Sequence, residues 1–160
     1  MAAGNEGSDA CSTSPAREPL ALTVGATNIN DRVLWLKPGV GSNYGACVKM
    51  FAPGQQVVSA DNASDTASKA RSGTSQAAPF AAGVAALYLQ NLTTASPAQV
   101  AAALTAAAVP GVLRDNTAQG APLALQRGSP NLMLQSDMEV PLEVQPSLLE
   151  VRGDSWESRP

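Results

Sequence analysis

The stretch SGTSQAAPFAAGVAALYLQ, Ser72 to Gln90, sets hydroxyl residues around a glycine and follows them with a proline, alanines and bulkier apolar side chains. The apolar run predicts a buried helix from about Ser75 to Gln90. A helix start carries N–H groups without intrahelical partners and a dipole that favours negative charge, so a serine there stands where an oxyanion is stabilised. In acyl transfer, a nucleophilic hydroxyl whose own N–H points at the developing oxyanion does two jobs from one position. Ser75 is the candidate. A serine that merely caps the helix is the plainer reading of the same residue. Pro79 falls early enough that the N–H it lacks would be an orphan or nearly one. Small Ala77, Ala78, Ala81 and Ala82 let the helix pass close to its neighbours.

Working outward, no Asp, Glu, Lys or Arg occurs from Ser72 through Leu113. A membrane span needs roughly 20 strongly apolar residues, whereas the most apolar piece, Ala77 to Leu89, is interrupted by Pro79 and Gly83. A buried helix is therefore the reading. The whole chain has 160 residues, 44% hydrophobic and 14% charged, which suits one globular domain with a modest core. A net charge of −3 leaves no basic footprint for nucleic acid. The opening MAAGNEGSDA has neither the positive start nor the apolar core of a signal peptide. Either the protein stays inside the cell or its true beginning is missing.

LALTVGATN, Leu20 to Asn28, reads as a buried strand closed by Gly25 and polar residues. A second strand is expected at Cys47–Phe51, ended by the Pro53–Gly54 turn, and a third at Gln56–Ala60. NINDRVLWLKPGVGSN makes a long connection with an apolar patch at Val33, Leu34, Trp35 and Leu36, read as a loop whose Trp tucks against the domain. SPAQVAAALTAAAV predicts a second helix with Ser96 as N-cap and Pro97 at the first helical position. GSPNLML, Gly128 to Leu134, suggests a last edge strand. Beyond Gln135 the chain mixes prolines and acids without period, which predicts a flexible tail. The tripeptide Arg152–Asp154 within it is a chance composition.

SGTSQAAPFAAGVAAL, AAGNEGSDACSTSPAREPLALTVGAT and SNYGACVKMFAPG together resemble the signatures of the subtilisin-like serine proteases (subtilases), in family order and closest to the secreted proteinase K branch. The likeness covers about Ala2 to Leu134. It implies an α/β fold: the C-terminal portion of a doubly wound, mostly parallel sheet with helices on both faces, occupying residues 1–135, with 136–160 as the tail. It also implies a serine endopeptidase acting on peptide or protein substrates through an acyl-enzyme. Position by position, Ser75 matches the nucleophile and Asn5 the asparagine whose amide completes the oxyanion hole. Read on its own, Asn5 between Gly4 and Gly7 is a turn residue. Ala2, Ala3 and Gly4 match the strand walling the pocket for the residue before the scissile bond.

The departures matter as much. Gln76 replaces the usual methionine, and Phe80–Ala81 the usual His-Val. The sequence holds no histidine at all, so the imidazole base of a Ser-His-Asp triad is absent from it. In the family, Asp and His precede Ser, so Met1 reads as an internal or truncated start and the implied partner is the preceding part of the catalytic domain. A degenerate protease that binds peptides without cutting them is the rival reading.

Cys11 and Cys47 match branch cysteines that form a disulfide. As two free thiols they would instead fit a cytosolic structural domain. Asn62-Ala63-Ser64 and Asn91-Leu92-Thr93 are glycosylation sequons compatible with secretion. The family calcium site would use the carbonyls of Pro19 and Ala21 and an aspartate at position 49. Lys49 stands there and brings no oxygen, so no metal or other cofactor is expected at that place.

Overall fold

The computed structural model describes residues 1–118 and 120–136, so the expected tail beyond Ser136 lies outside the described residues. After a 3-10 turn at Ala10–Ser12 come β1 (Val24–Thr27), β2 (Trp35–Lys37), β3 (Val40–Gly41), β4 (Met50–Pro53), β5 (Val57–Ala60) and β6 (Ser68–Arg71). Helices α1 (Thr74–Asn91) and α2 (Pro97–Ala107) follow, then β7 (Val109–Pro110) and β8 (Leu132–Met133).

The main sheet runs in the order β1-β4-β8-β7, with β1, β4 and β8 parallel and β7 antiparallel to β8. Outside β1, a parallel bridge from Ala2 to Val24 brings the N-terminal segment alongside the sheet. Side chains alternate across the pleat. Val24 and Ala26 of β1 and Met50 and Ala52 of β4 face the helices, where Ala77, Ala81, Val84 and Leu104 bury against them. Phe51 and Met133 face the other way, into a second cluster with Ala3, Val48, Leu113 and Ala124. The class is α/β. Both helices pack with the first cluster, and the second is closed by the 3-10 turn and loop segments.

Helix α1 buries Thr74, Ala77, Ala81 and Val84, a stripe at helical spacing that continues in Tyr88. Ala82, expected to face a neighbour, is exposed. Pro79 is the sixth helical residue, past the orphan N–H groups, so its ring removes the donor that would have reached the Ser75 carbonyl. Helix α2 begins as expected: Ser96 Oγ accepts from Gln99 N–H (3.3 Å), and Gln99 Oε1 accepts from Ser96 N–H (2.8 Å).

Three expectations need correction. The second strand starts at Met50 rather than Cys47, because Val48 N–H closes a turn on Gly45 C=O (3.1 Å). The last strand is not an edge: β8 lies between β4 and β7. The long connection after β1 is not all loop, since it folds into the β2–β3 hairpin, with the Trp35 ring lying against Gly7 and Gly41. Val33 and Leu34 of its patch are buried, and Leu36 is exposed.

Candidate active site

Three hydroxyls stand at the mouth of α1, and their surroundings differ. Ser72 Oγ accepts from Gln56 N–H (2.9 Å), tying the base of the β5–β6 hairpin to the helix start. Thr74 is fully buried; its hydroxyl accepts from Gly4 N–H (3.1 Å) and turns its own hydrogen toward Asn5 Oδ1 (3.1 Å) and Gly4 C=O (3.3 Å). Ser75 is exposed, and among the described residues neither its hydroxyl nor its N–H has a protein partner. It is the second helical residue, so the capping reading fails. Gly73 is the N-cap, which has no side chain of its own to close this end.

Glycine is needed at that cap. Its φ of 149° is rarely adopted by L-residues, and a Cβ there would come 3.0 Å from Asn5 Oδ1. Gly73 N–H in turn donates to Gly54 C=O (2.7 Å), which locks the helix start to the turn after β4.

Asn5 reaches this mouth from 69 residues upstream. Its Oδ1 accepts from Thr74 N–H (2.8 Å), which fixes which way the side-chain amide faces, since a backbone donor needs the oxygen opposite it. Asn5 N–H donates to Glu6 Oε2 (2.9 Å), and Asn5 C=O accepts from Gly41 N–H (2.9 Å). Its Nδ2 is the group left over, beside the residue that precedes Ser75. No acidic side chain occupies the first turn of α1 to offset the positive end of its dipole.

Ala2, Ala3 and Gly4 lead into Asn5. Ala3 is fully buried in the second core cluster, so only Ala2 and Gly4 are partly accessible. On its other flank Ser75 borders a cleft of about 400 Å³, walled by Val57, Val58, Gln76, Pro79 and Phe80. An apolar groove of about 390 Å³, walled by Leu22, Ala78, Ala85, Leu89 and Val100, does not include Ser75.

Cys11 and Cys47 are joined in a disulfide with Cα atoms 5.2 Å apart, so the free-thiol alternative is set aside. Lys49 N–H donates to Thr23 C=O (2.8 Å), and its half-buried side chain supplies an ammonium where a calcium site needs a carboxylate. The residues at Pro19, Ala21 and position 49 therefore do not fit that ion.

The serine-bearing helix mouth, the asparagine from a separate segment and the mostly parallel sheet behind them match one family throughout. Residues 1–128 fit the model of the subtilase family. The chain belongs to that family. This subtilase is 47% identical over 134 residues to the extracellular serine proteinase of Thermus sp. (strain Rt41A), which covers 84% of the chain and 29% of that relative. It is 43% identical over 136 residues to the alkaline serine exoprotease A of Vibrio alginolyticus, covering 85% of the chain and 22% of the relative. Among solved structures, a cold-adapted subtilisin-like serine proteinase superposes with a TM-score of 0.71 at 40% identity, covering 86% of the chain and 44% of that structure. The subtilase thus spans under a third of the length of these two sequence relatives. The family resemblance singled out Ser75 and Asn5, and the fold brings Asn5 to the helix mouth that carries Ser75. Sequence reasoning missed Thr74, whose buried hydroxyl and N–H hold the Asn5 amide, although Thr74 stands in the quoted motif.

Proposed function

We propose that this chain carries the nucleophile and oxyanion half of a serine endopeptidase site. Ser75 Oγ attacks the carbonyl carbon of a peptide bond and gives up its proton to an imidazole that lies outside these 160 residues. The carbonyl oxygen, now an oxyanion, is held by Ser75 N–H and Asn5 Nδ2. Collapse of the tetrahedral centre expels the amine, protonated by the same imidazole, and leaves an acyl-serine for water to hydrolyse. Ala2 and Gly4 border the substrate residue before the scissile bond, and buried Ala3, with its N–H on Val24 C=O and its C=O on Asn43 Nδ2, holds the segment they belong to.

The observation that carries this reading is the division of labour at the helix mouth. Every polar group of Asn5 except Nδ2 is engaged, and of the three hydroxyls only that of Ser75 has no protein partner among the described residues. The names of the relatives, extracellular and alkaline proteases, support a protein substrate outside the cell. The exposed sequon asparagines, Asn62 and Asn91, and the disulfide fit the same place.

Labelling with a serine-directed fluorophosphonate, in protein that includes the imidazole, tests the assignment. A phosphonylated Ser75 and loss of the label in Ser75→Ala are expected; labelling at any other serine overturns it. The absence of histidine from the sequence favours one second reading, a cleft that binds peptides without cleaving them. It predicts peptide binding with no label and no cleavage.

A further inference from the structure

The geometry points to Asn43 as a positioning residue for Asn5, an inference that rests on the oxyanion role proposed for the Asn5 amide. Asn43 is completely buried, yet every hydrogen-bonding atom of its side chain is used. Its Oδ1 accepts from Glu6 N–H (3.1 Å), Ser8 N–H (3.0 Å) and Ser8 Oγ (3.3 Å). Its Nδ2 faces Ala3 C=O (3.0 Å), Glu6 Oε2 (2.9 Å) and Thr13 Oγ1 (3.2 Å). Its backbone N–H donates to Gly4 C=O (2.9 Å).

These partners bracket Asn5 on both sides without touching it. Ala3 and Gly4 precede it, and Glu6 and Ser8 follow. Asn43 therefore fixes the path on which Asn5 rides. Gly4, with φ of 102°, is the residue whose missing side chain makes this possible: a Cβ there would collide with the Asn43 amide nitrogen. One link is direct in effect. The Glu6 carboxylate oxygen that accepts from Asn43 Nδ2 also accepts from Asn5 N–H, so Asn43 holds the group that holds Asn5.

A buried amide used on both ends is a costly feature to keep for packing alone, because a half-satisfied network is worse than an apolar core. Gly41, the last residue of β3, through its backbone and Asn43, two residues on, through its side chain are thereby clamped across the loop that presents Asn5. The consequence is local. If Asn43 is altered, the Asn5 side chain loses its orientation toward Thr74 before the sheet loses stability.

Asn43→Asp keeps the shape and the accepted N–H bonds but turns the donor end into an acceptor facing the Glu6 carboxylate and Ala3 C=O. Amide hydrogen exchange on the 15N-labelled 160-residue chain reads the effect. The expected result is exchange of Thr74 N–H and Asn5 N–H accelerated about tenfold or more relative to the amides of β4, with displaced Asn5 Nδ2 signals. Leu104→Ala, in the core under α2, serves as the control and should raise exchange at β4, Thr74 and Asn5 together. If Asn43→Asp does not fold, Asn43→Ser, which keeps one acceptor and one donor, is read in the same way. Exchange at Thr74 that follows β4 in the Asn43 variants as it does in Leu104→Ala overturns the inference. The oxyanion reading is tested separately with a peptide boronate in protein that includes the imidazole: a boronate that binds Asn5→Ala as tightly as the unaltered protein sinks that reading, whatever the exchange data show for Asn43.

Discussion

Helix α2 braces its N-terminus with its own residues, whereas α1 borrows from a segment 69 residues away. At α2, Ser96 and Gln99 exchange bonds across three positions in a capping box that stabilises the helix, Pro97 brings no N–H, and only Ala98 N–H is left without a protein partner among the described residues. At α1, glycine caps, Asn5 takes the Thr74 N–H, and the Ser75 N–H and hydroxyl stay free. A helix end that serves stability is braced locally. One built for chemistry is braced from far off and sets a free hydroxyl beside its open N–H.

That contrast is easiest to break with activity. In protein that includes the imidazole, Asn5→Ala is expected to lower kcat on a peptide substrate about 10²–10³-fold with KM nearly unchanged, a magnitude established for this kind of donor in subtilisin itself. Ser96→Ala should leave both constants alone. Steady-state kinetics on the two variants decides, and equal losses would erase the distinction between the two ends.

The next effect is on stability. Replacing both Cys11 and Cys47 by serine releases the 3-10 turn from the segment before β4, a closed loop of separation 36, and should cost about 3–4 kcal/mol in urea unfolding. The kinetic consequence of Asn5→Ala should be absent here once the folded fraction is accounted for. Smaller again, Ser96→Ala should cost about 1 kcal/mol by losing the capping bond to Gln99. Smallest is Gly83→Ala, at an exposed position in α1 where an added Cβ meets nothing within 4 Å. A gain of about 0.5–1 kcal/mol is expected, read as a rise in thermal midpoint. A loss there would mean that α1 needs the glycine for something other than its helical backbone.

The same contrast explains what the sequence made legible. Both helices could be read because their signals are local: an apolar run for α1, and Ser96-Pro97 at the start of α2. Strand β6 could not, since Ser68–Arg71 is exposed throughout and carries no alternation; only its pairing with β5 makes it a strand. Strands β3, β7 and β8 have two residues each, too short for a period to show. That β8 sits inside the sheet depends on β7, which lies across 21 intervening residues and had no signal of its own. Ser75 was visible as a helix-mouth hydroxyl, but only the family resemblance separated it from a cap. Asn5 and Cys11–Cys47 rested on resemblance for the same reason: their partners are distant in the chain. Asn43 stood in a quoted motif without a role, because nothing in Ser-Asn-Tyr-Gly announces six hydrogen-bond contacts made to four other residues.

The uncharged run from Ser72 to Leu113 has a consequence for how molecules of this protein meet one another. Ala82, Ala86 and Leu87 on α1 and Ala102 on α2 are exposed, and neither helix offers a formal charge to repel an approaching copy. Colloidal behaviour on this side is therefore governed by water structure rather than by pH. Salting-out ions such as sulfate should drive clustering through this face, and a lysine or glutamate placed at position 86 should postpone it.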